Sequence, residues 1–202
     1  LLYADEKKYD QAILEIRKAI DLNGNEPRLQ LTLGKLLLES NKDEEALETF
    51  KGAADMFPED ISVQIRVADL YFVKGMLSES LENYKAAAVI DPKNSTIQSK
   101  LGKIYLNKKQ DKNARNAFER AIKLNPKDSE SHYHLGKLVS EEKKWDRAQS
   151  LLSNAVSLNV THAPSYYELG KVLHAKGEVD LSLDKFNKSL ELSPENSEYL
   201  IG

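Results

Sequence analysis

Four histidines, His132, His134, His162 and His174, are the side chains whose ordinary pKa lies nearest neutrality, which makes them the first candidates for proton transfer or metal ligation. His132 and His134 stand two residues apart, a spacing that turns them about 200° from each other on a helix, so one metal cannot take both. Ligand pairs on a single helix stand at i, i+4, as in H-E-x-x-H, and no histidine pair has that spacing. The chain has no cysteine, which removes thiolate metal sites, thiol catalysis and disulfides together. Serine and glutamate are abundant, yet none stands in a recognisable nucleophile–base pattern, and the glycines form no phosphate-cradling loop. The sequence predicts no enzyme, no metal and no cofactor.

Charge and composition narrow the remaining classes. Lysine and arginine number 29 against 32 aspartates and glutamates, for a net charge of −3, which excludes a globally basic nucleic-acid binder. No apolar stretch approaches the ~18 residues of a membrane-spanning helix. Of 202 residues, 41% are hydrophobic, 30% charged and only 7% aromatic. Leucine, alanine, lysine and glutamate dominate, which is a helical composition.

A fixed step of 34 residues runs through the chain. Pro58, Pro92 and Pro126 keep it, and Pro194 lies two steps further on. Ala12, Ala46, Ala114 and Ala148 keep it too, with Ser80 and Ser182 in the remaining places. A bulky series follows: Ile16, Phe50, Tyr84, Phe118, Leu152 and Phe186. Gly34, Ala68, Gly102, Gly136 and Gly170 form another, each preceded by an aliphatic residue. Several independent series in one register identify a repeat architecture.

Each unit reads as two helices. Gln98, Leu101, Gly102 and Tyr105 make the apolar stripe of a first helix, with Asn94 or Ser95 able to cap its start. The second stripe runs through Ala114, Ala117, Phe118, Ala121 and Ile122, and Asn125-Pro126 ends it, since proline disfavours helical geometry in its predecessor. Gly75 and Gly177 fall at the turn between helices, where a positive φ is expected. Gly102 against Ala114 would let the two helices approach closely. Trp145, at the turn side of its second helix, is expected in the core.

The run Leu101-Gly102 with Tyr105, Ala114, Phe118, Ala121 and Pro126 resembles the tetratricopeptide repeat, a helix–turn–helix unit of 34 residues. Residues 163–196 match nearly as well through Tyr166, Leu169, Gly170, Ser182, Phe186 and Pro194. Half-length repeats and 35-residue RNA-reading repeats are rivals that the uninterrupted spacing and the proline series disfavour. The resemblance implies an all-α fold: a right-handed α-solenoid, or superhelix, of antiparallel helix pairs. Full units are expected at 27–60, 61–94, 95–128, 129–162 and 163–196. Residues 1–26 read as a partial repeat, the end of a first helix plus a second helix, and 197–202 as the start of a further one. Both ends look cut within a unit, so an excerpt of a longer chain lacking its native N-terminus is expected; the compartment is undetermined, with the cytoplasm as the default.

In this family the first helices line the concave wall, so the resemblance implies a docking surface there. One column on that face reads Lys35, Asp69, Lys103, Lys137 and Lys171. Beside it lie Arg66, Lys100 and His134, then Leu31, Ile65, Ser99, Tyr133 and Tyr167, with Phe72, Leu106 and His174 on a neighbouring row. The five first-helix segments sum to +4 and the rest to −7. The candidate peptide-binding residues are therefore Lys35, Arg66, Phe72, Lys100, Lys103, Tyr133, Lys137, Tyr167, Lys171 and His174. The chaperone-binding carboxylate clamp of some members is not matched: Leu31 stands where a lysine is required, Lys35 and Arg66 stand for asparagines, and only Lys100 fits.

The expected function is a non-catalytic scaffold or adaptor holding an extended partner peptide, with acidic groups as the hypothesised complement. The substrate-recognition arm of a larger enzyme, such as a glycosyltransferase, and a self-associating assembly module are the alternatives. Partners are expected to be protein or peptide, with a homo-oligomer as a further possibility and nucleic acid disfavoured.

Overall fold

The computed structural model describes residues 2–23 and 26–195, with side chains from residue 8 onward. Two compact units divide between Pro92 and Lys93. The first holds α1 (Leu2–Leu22), α2 (Pro27–Glu39), α3 (Asp43–Met56), α4 (Ile61–Val73) and α5 (Leu77–Ile90). The second holds α6 (Ser95–Asn107), α7 (Asp111–Leu124), α8 (Ser129–Glu141), α9 (Trp145–Leu158), α10 (Ala163–Ala175) and α11 (Val179–Leu192). All elements among the described residues are helical. Consecutive helices pack on one another within each unit, and alternate first helices also meet: α2 with α4, α6 with α8, and α8 with α10. The all-α expectation holds.

One turn recurs between the two helices of every pair. Asn41, Gly75, Lys109, Lys143 and Gly177, spaced by the repeat, all have positive φ, from 55° to 82°. The amide after each donates back to a carbonyl one turn inside the helix: Lys42 to Leu37 and Gln110 to Tyr105 at 2.8 Å, Glu178 to Leu173 at 2.9 Å. This six-to-one bond satisfies a carbonyl that the helix end would otherwise orphan. Only two of the five positions are glycine, which is why the sequence exposed only Gly75 and Gly177. At the starts, Asp60 accepts from the Ser62 and Val63 amides at 2.8 and 3.1 Å, Asn94 from Ile97 at 3.3 Å and Asp128 from Ser131 at 3.2 Å. Pro27 and Pro164 sit in the first turns of α2 and α10, where a missing amide hydrogen costs nothing.

The repeated glycines are approach points. A Cβ on Gly34 would lie 2.6 Å from the Phe50 ring, on Gly102 2.5 Å from Phe118, on Gly136 2.7 Å from Leu152 and on Gly170 2.7 Å from Phe186. The bulky residue of α3, α7, α9 and α11 therefore fills the space where a first-helix side chain would be. Separate cores result, one around Leu37, Phe50, Val63 and Val67 in the first unit, the other around Phe118, Leu135, Val139 and Leu152 in the second.

Two expectations change. α1 runs unbroken from Leu2 to Leu22, where the end of a first helix followed by a second helix was expected; nothing in Tyr3–Lys8 breaks a helix, since the stretch contains neither glycine nor proline. Trp145 is half-buried at the margin of the second core, not within it. The helix start expected over 197–202 lies outside the described residues.

Candidate functional site

In the first unit, α2 and α4 enclose a groove of about 580 Å3. Leu31 and Leu38 of α2, Leu70 and Val73 of α4 and the Phe50 ring give it an apolar lining. Phe50 reaches the groove because Gly34 presents no side chain above it. Arg28 and Lys35 from α2 and Arg66 from α4 bring three cations to the same walls, with Thr32 and Asp69. Lys35 stands 3.6 Å from Glu39. Arg28 and Arg66 are exposed, and neither forms an ion pair with a described residue.

Asp69, the one acid in the lysine column, is engaged from behind. The Tyr84 hydroxyl donates to its carboxylate. Burial first, then the bond and charge of Asp69, push the Tyr84 phenol far above its ordinary range, so the hydroxyl stays a donor.

In the second unit the column lysines have acidic neighbours. Lys103 pairs with Glu130. Glu168, whose side chain is only 8% exposed, lies 2.7 Å from Lys171 and 4.0 Å from Lys137. The two ammonium groups give this buried carboxylate cationic partners. Lys171 also stands over the Tyr167 ring at 5.1 Å, a cation–π distance. The face is thus a mixed lattice of charges, where the column alone read as a cationic stripe. A recess of about 320 Å3 opens beside it between Leu106, Tyr133, His134, Lys137, Leu138 and Glu141, with Asp111 at its edge.

The histidines have packing roles. His134 stacks on Phe118 with ring centroids 5.2 Å apart, and Tyr133 contacts both His134 and His162 at 4.9 Å. Burial lowers the His134 pKa to about 4, against an opposing push from Glu130; Lys103, His162 and Lys137 lower it further. His162, at the α10 N-cap, is lowered by burial too, and its Nδ1 lies 2.6 Å from the Ser165 hydroxyl. His132 is buried with Nε2 3.0 Å from the Pro126 carbonyl. That oxygen can only accept, so Nε2–H donates to it, and the buried Nδ1 has no hydrogen-bond partner among the described residues. No group of three His, Asp or Glu side chains could hold a metal among the described residues, and no described helix is long and apolar enough to cross a membrane.

The structure therefore brings Lys35 and Arg66 to one groove, and Tyr133 and Lys137 to one recess. Phe72 is half-buried outside the first groove, Lys100 is half-buried on α6, and His174 is exposed in the last turn of α10. Sequence reasoning missed Arg28, Leu38, Leu70 and Val73 as groove residues, and Glu130 and Glu168 as partners of the lysines. The acids were legible in principle. Lys103 to Glu130 spans 27 residues and Lys137 to Glu168 spans 31, so each lysine meets an acid on the next first helix.

Family models described as tetratricopeptide repeat match residues 3–70, 96–128, 117–150 and 138–197, and one described as TPR repeat matches 68–109. No curated protein sequence matches the chain. Among solved structures, the chain is similar to YrrB, described as a TPR protein with an unusual peptide-binding site: 23% identity over 92% of this chain and 96% of that one, TM-score 0.74. It is similar to MamA at 20% identity over 86% and 94%, TM-score 0.73, and to PilF of Pseudomonas aeruginosa at 17% over 98% and 90%, TM-score 0.81. At these identities the likeness is one of fold.

Proposed function

The chain belongs to the tetratricopeptide repeat family, and from that premise we propose that it is a non-catalytic interaction scaffold whose first-helix faces hold an extended segment of a partner protein. The observation that carries this reading is the groove between α2 and α4. It joins an apolar lining to two exposed arginines, on successive first helices, that have no ion pair among the described residues, the pairing of contact area and charge that a peptide site needs. Seven of the ten candidate residues divide by role. Arg66 and Lys35 flank the first groove; Tyr133 and Tyr167 offer aromatic area on the second unit; Lys103, Lys137 and Lys171 supply charge that Glu130 and Glu168 offset in part. The acidic complement belongs to the first groove on this reading, because its arginines have no described acid to satisfy them. The peptide site in YrrB's description is consistent with such a use of the fold.

Panning an immobilised random 12-residue peptide library with the intact chain tests this. Enriched sequences should lose binding when Arg66→Glu is combined with Val73→Glu. Equal binding by that variant and by Lys137→Gln/Lys171→Gln would refute docking on the first-helix faces.

A further inference from the structure

Val73 is 81% exposed. At the same place in the other units stand Glu39, Asn107, Glu141 and Ala175, so a large apolar group on this row occurs only in α4. It ends a groove that is graded along its length. Arg28 stands in the first turn of α2 and Arg66 in the second turn of α4, whereas Leu38, Leu70 and Val73 lie toward the helix ends. Seven residues of helix separate Arg66 from Val73, about 10 Å at the α-helical rise. An extended chain covers that distance in about three residues. Lys35 and Asp69, midway along, are already engaged by Glu39 and Tyr84, so the open charge sits at one end, beside the half-buried Leu31, and the exposed apolar surface of Val73 at the other.

We propose that this groove selects an internal acidic residue three positions from a large aliphatic one in a partner protein, with the carboxylate side chain at Arg28 and Arg66 and the aliphatic group at Leu38, Leu70 and Val73. The inference rests on the docking reading above and sharpens it by naming what the first unit recognises. Arginine suits a carboxylate in a planar, two-bonded pairing, which a lysine point charge cannot copy. Leu70 and Leu38 are half-buried, so an aliphatic side chain between them would complete their burial.

The test is fluorescence anisotropy on the full chain with fluorescein-labelled twelve-residue peptides carrying Glu-Ser-Ala-Leu at the centre. Controls place Gln for Glu, Ser for Leu, or two further residues between the pair, and each is made with free and amidated C-termini. Expected results are a roughly tenfold loss for each of the three changes and no effect of amidation. Arg28→Gln/Arg66→Gln should bind the Glu and Gln peptides alike, and Val73→Ser should blunt the Leu preference. Both variants change exposed side chains, and their helical circular dichroism serves as the folding control. Peptides that bind with equal strength whatever the Glu, Leu or spacing would overturn the inference while leaving docking intact. Dependence on a free C-terminus would overturn it by assigning recognition to a chain end, and no binding by any peptide would overturn both readings.

Discussion

The Tyr84 hydroxyl donates to the Asp69 carboxylate, fifteen residues away on the preceding helix. Phe50, Phe118, Leu152 and Phe186 fill the corresponding place in the other pairs, and lysine fills the place of Asp69. A buried phenol needs an acceptor, so the tyrosine and the acid are one change made at two positions. Tyr84→Phe should destabilise the chain by ~1–2 kcal/mol in urea unfolding. Asp69→Lys alone should cost more, because the hydroxyl loses its acceptor. The double variant Asp69→Lys/Tyr84→Phe, which recreates the pattern of α6 and α7, should recover most of that loss. Additive effects would dissolve the coupling.

Gly102 and Gly52 predict opposite results for the same substitution. A Cβ at Gly102 would sit 2.5 Å from the fully buried Phe118 ring, while one at Gly52 meets nothing within 4 Å. Gly102→Ala should destabilise by ~1–3 kcal/mol through overpacking. Gly52→Ala, inside α3, should stabilise by ~0.5–1 kcal/mol through helix propensity alone. Thermal melts of the two variants beside the parent separate the two kinds of glycine.

Much of the helix scaffold was legible because glycine, proline and small residues punctuate it at fixed intervals. The five left-handed turns were half hidden, since Asn41, Lys109 and Lys143 adopt the geometry without the residue that advertises it. The groove was harder still. Lys35 and Arg66 were found by their column, but Val73 and Leu70 become site residues only through how α2 and α4 meet. Glu130 and Glu168 turn the lysine column into a partly neutralised lattice, which a column read in isolation cannot reveal.

The left-handed lysines give a stability prediction of their own. A side chain with positive φ is strained by ~1–2 kcal/mol relative to the right-handed helical region, and glycine is not. Lys109 and Lys143 are exposed, so Lys109→Gly and Lys143→Gly remove strain without removing packing. Each should raise stability by ~0.5–1 kcal/mol after glycine's greater freedom in the unfolded chain is counted. Urea midpoints that fall in both variants would contradict this.

His134 makes the second unit acid-sensitive. Its pKa in the folded chain is lowered to about 4, below the ordinary 6.5, so the unfolded chain takes up the proton first. Stability is unaffected above about pH 7, falls as pH drops from about 6.5 toward 4, and levels off below that, a loss of up to ~3 kcal/mol. The depression of His162 acts in the same direction. His134→Phe, which keeps a ring on Phe118, should flatten most of the slope in melts between pH 7 and 4.5.

Glu168 restrains two of the candidate lysines, since Lys171 and Lys137 both approach it. Glu168→Gln should release their charge toward the solvent face. On the proposed role of these lysines, an acidic peptide should then bind the chain more tightly at low salt, by a few-fold, and the gain should vanish near 0.5 M salt, where the screening length is only a few ångströms.

The most direct measurement is amide chemical-shift mapping of the full chain, labelled with nitrogen-15, during titration with the strongest peptide from the library. Docking on the first-helix faces predicts shifts concentrated in α2 and α4, around Leu31, Lys35, Arg66 and Val73, or in α8 and α10 around Tyr133 and Tyr167. Shifts confined to the second helices α3, α5, α7, α9 and α11 would contradict it.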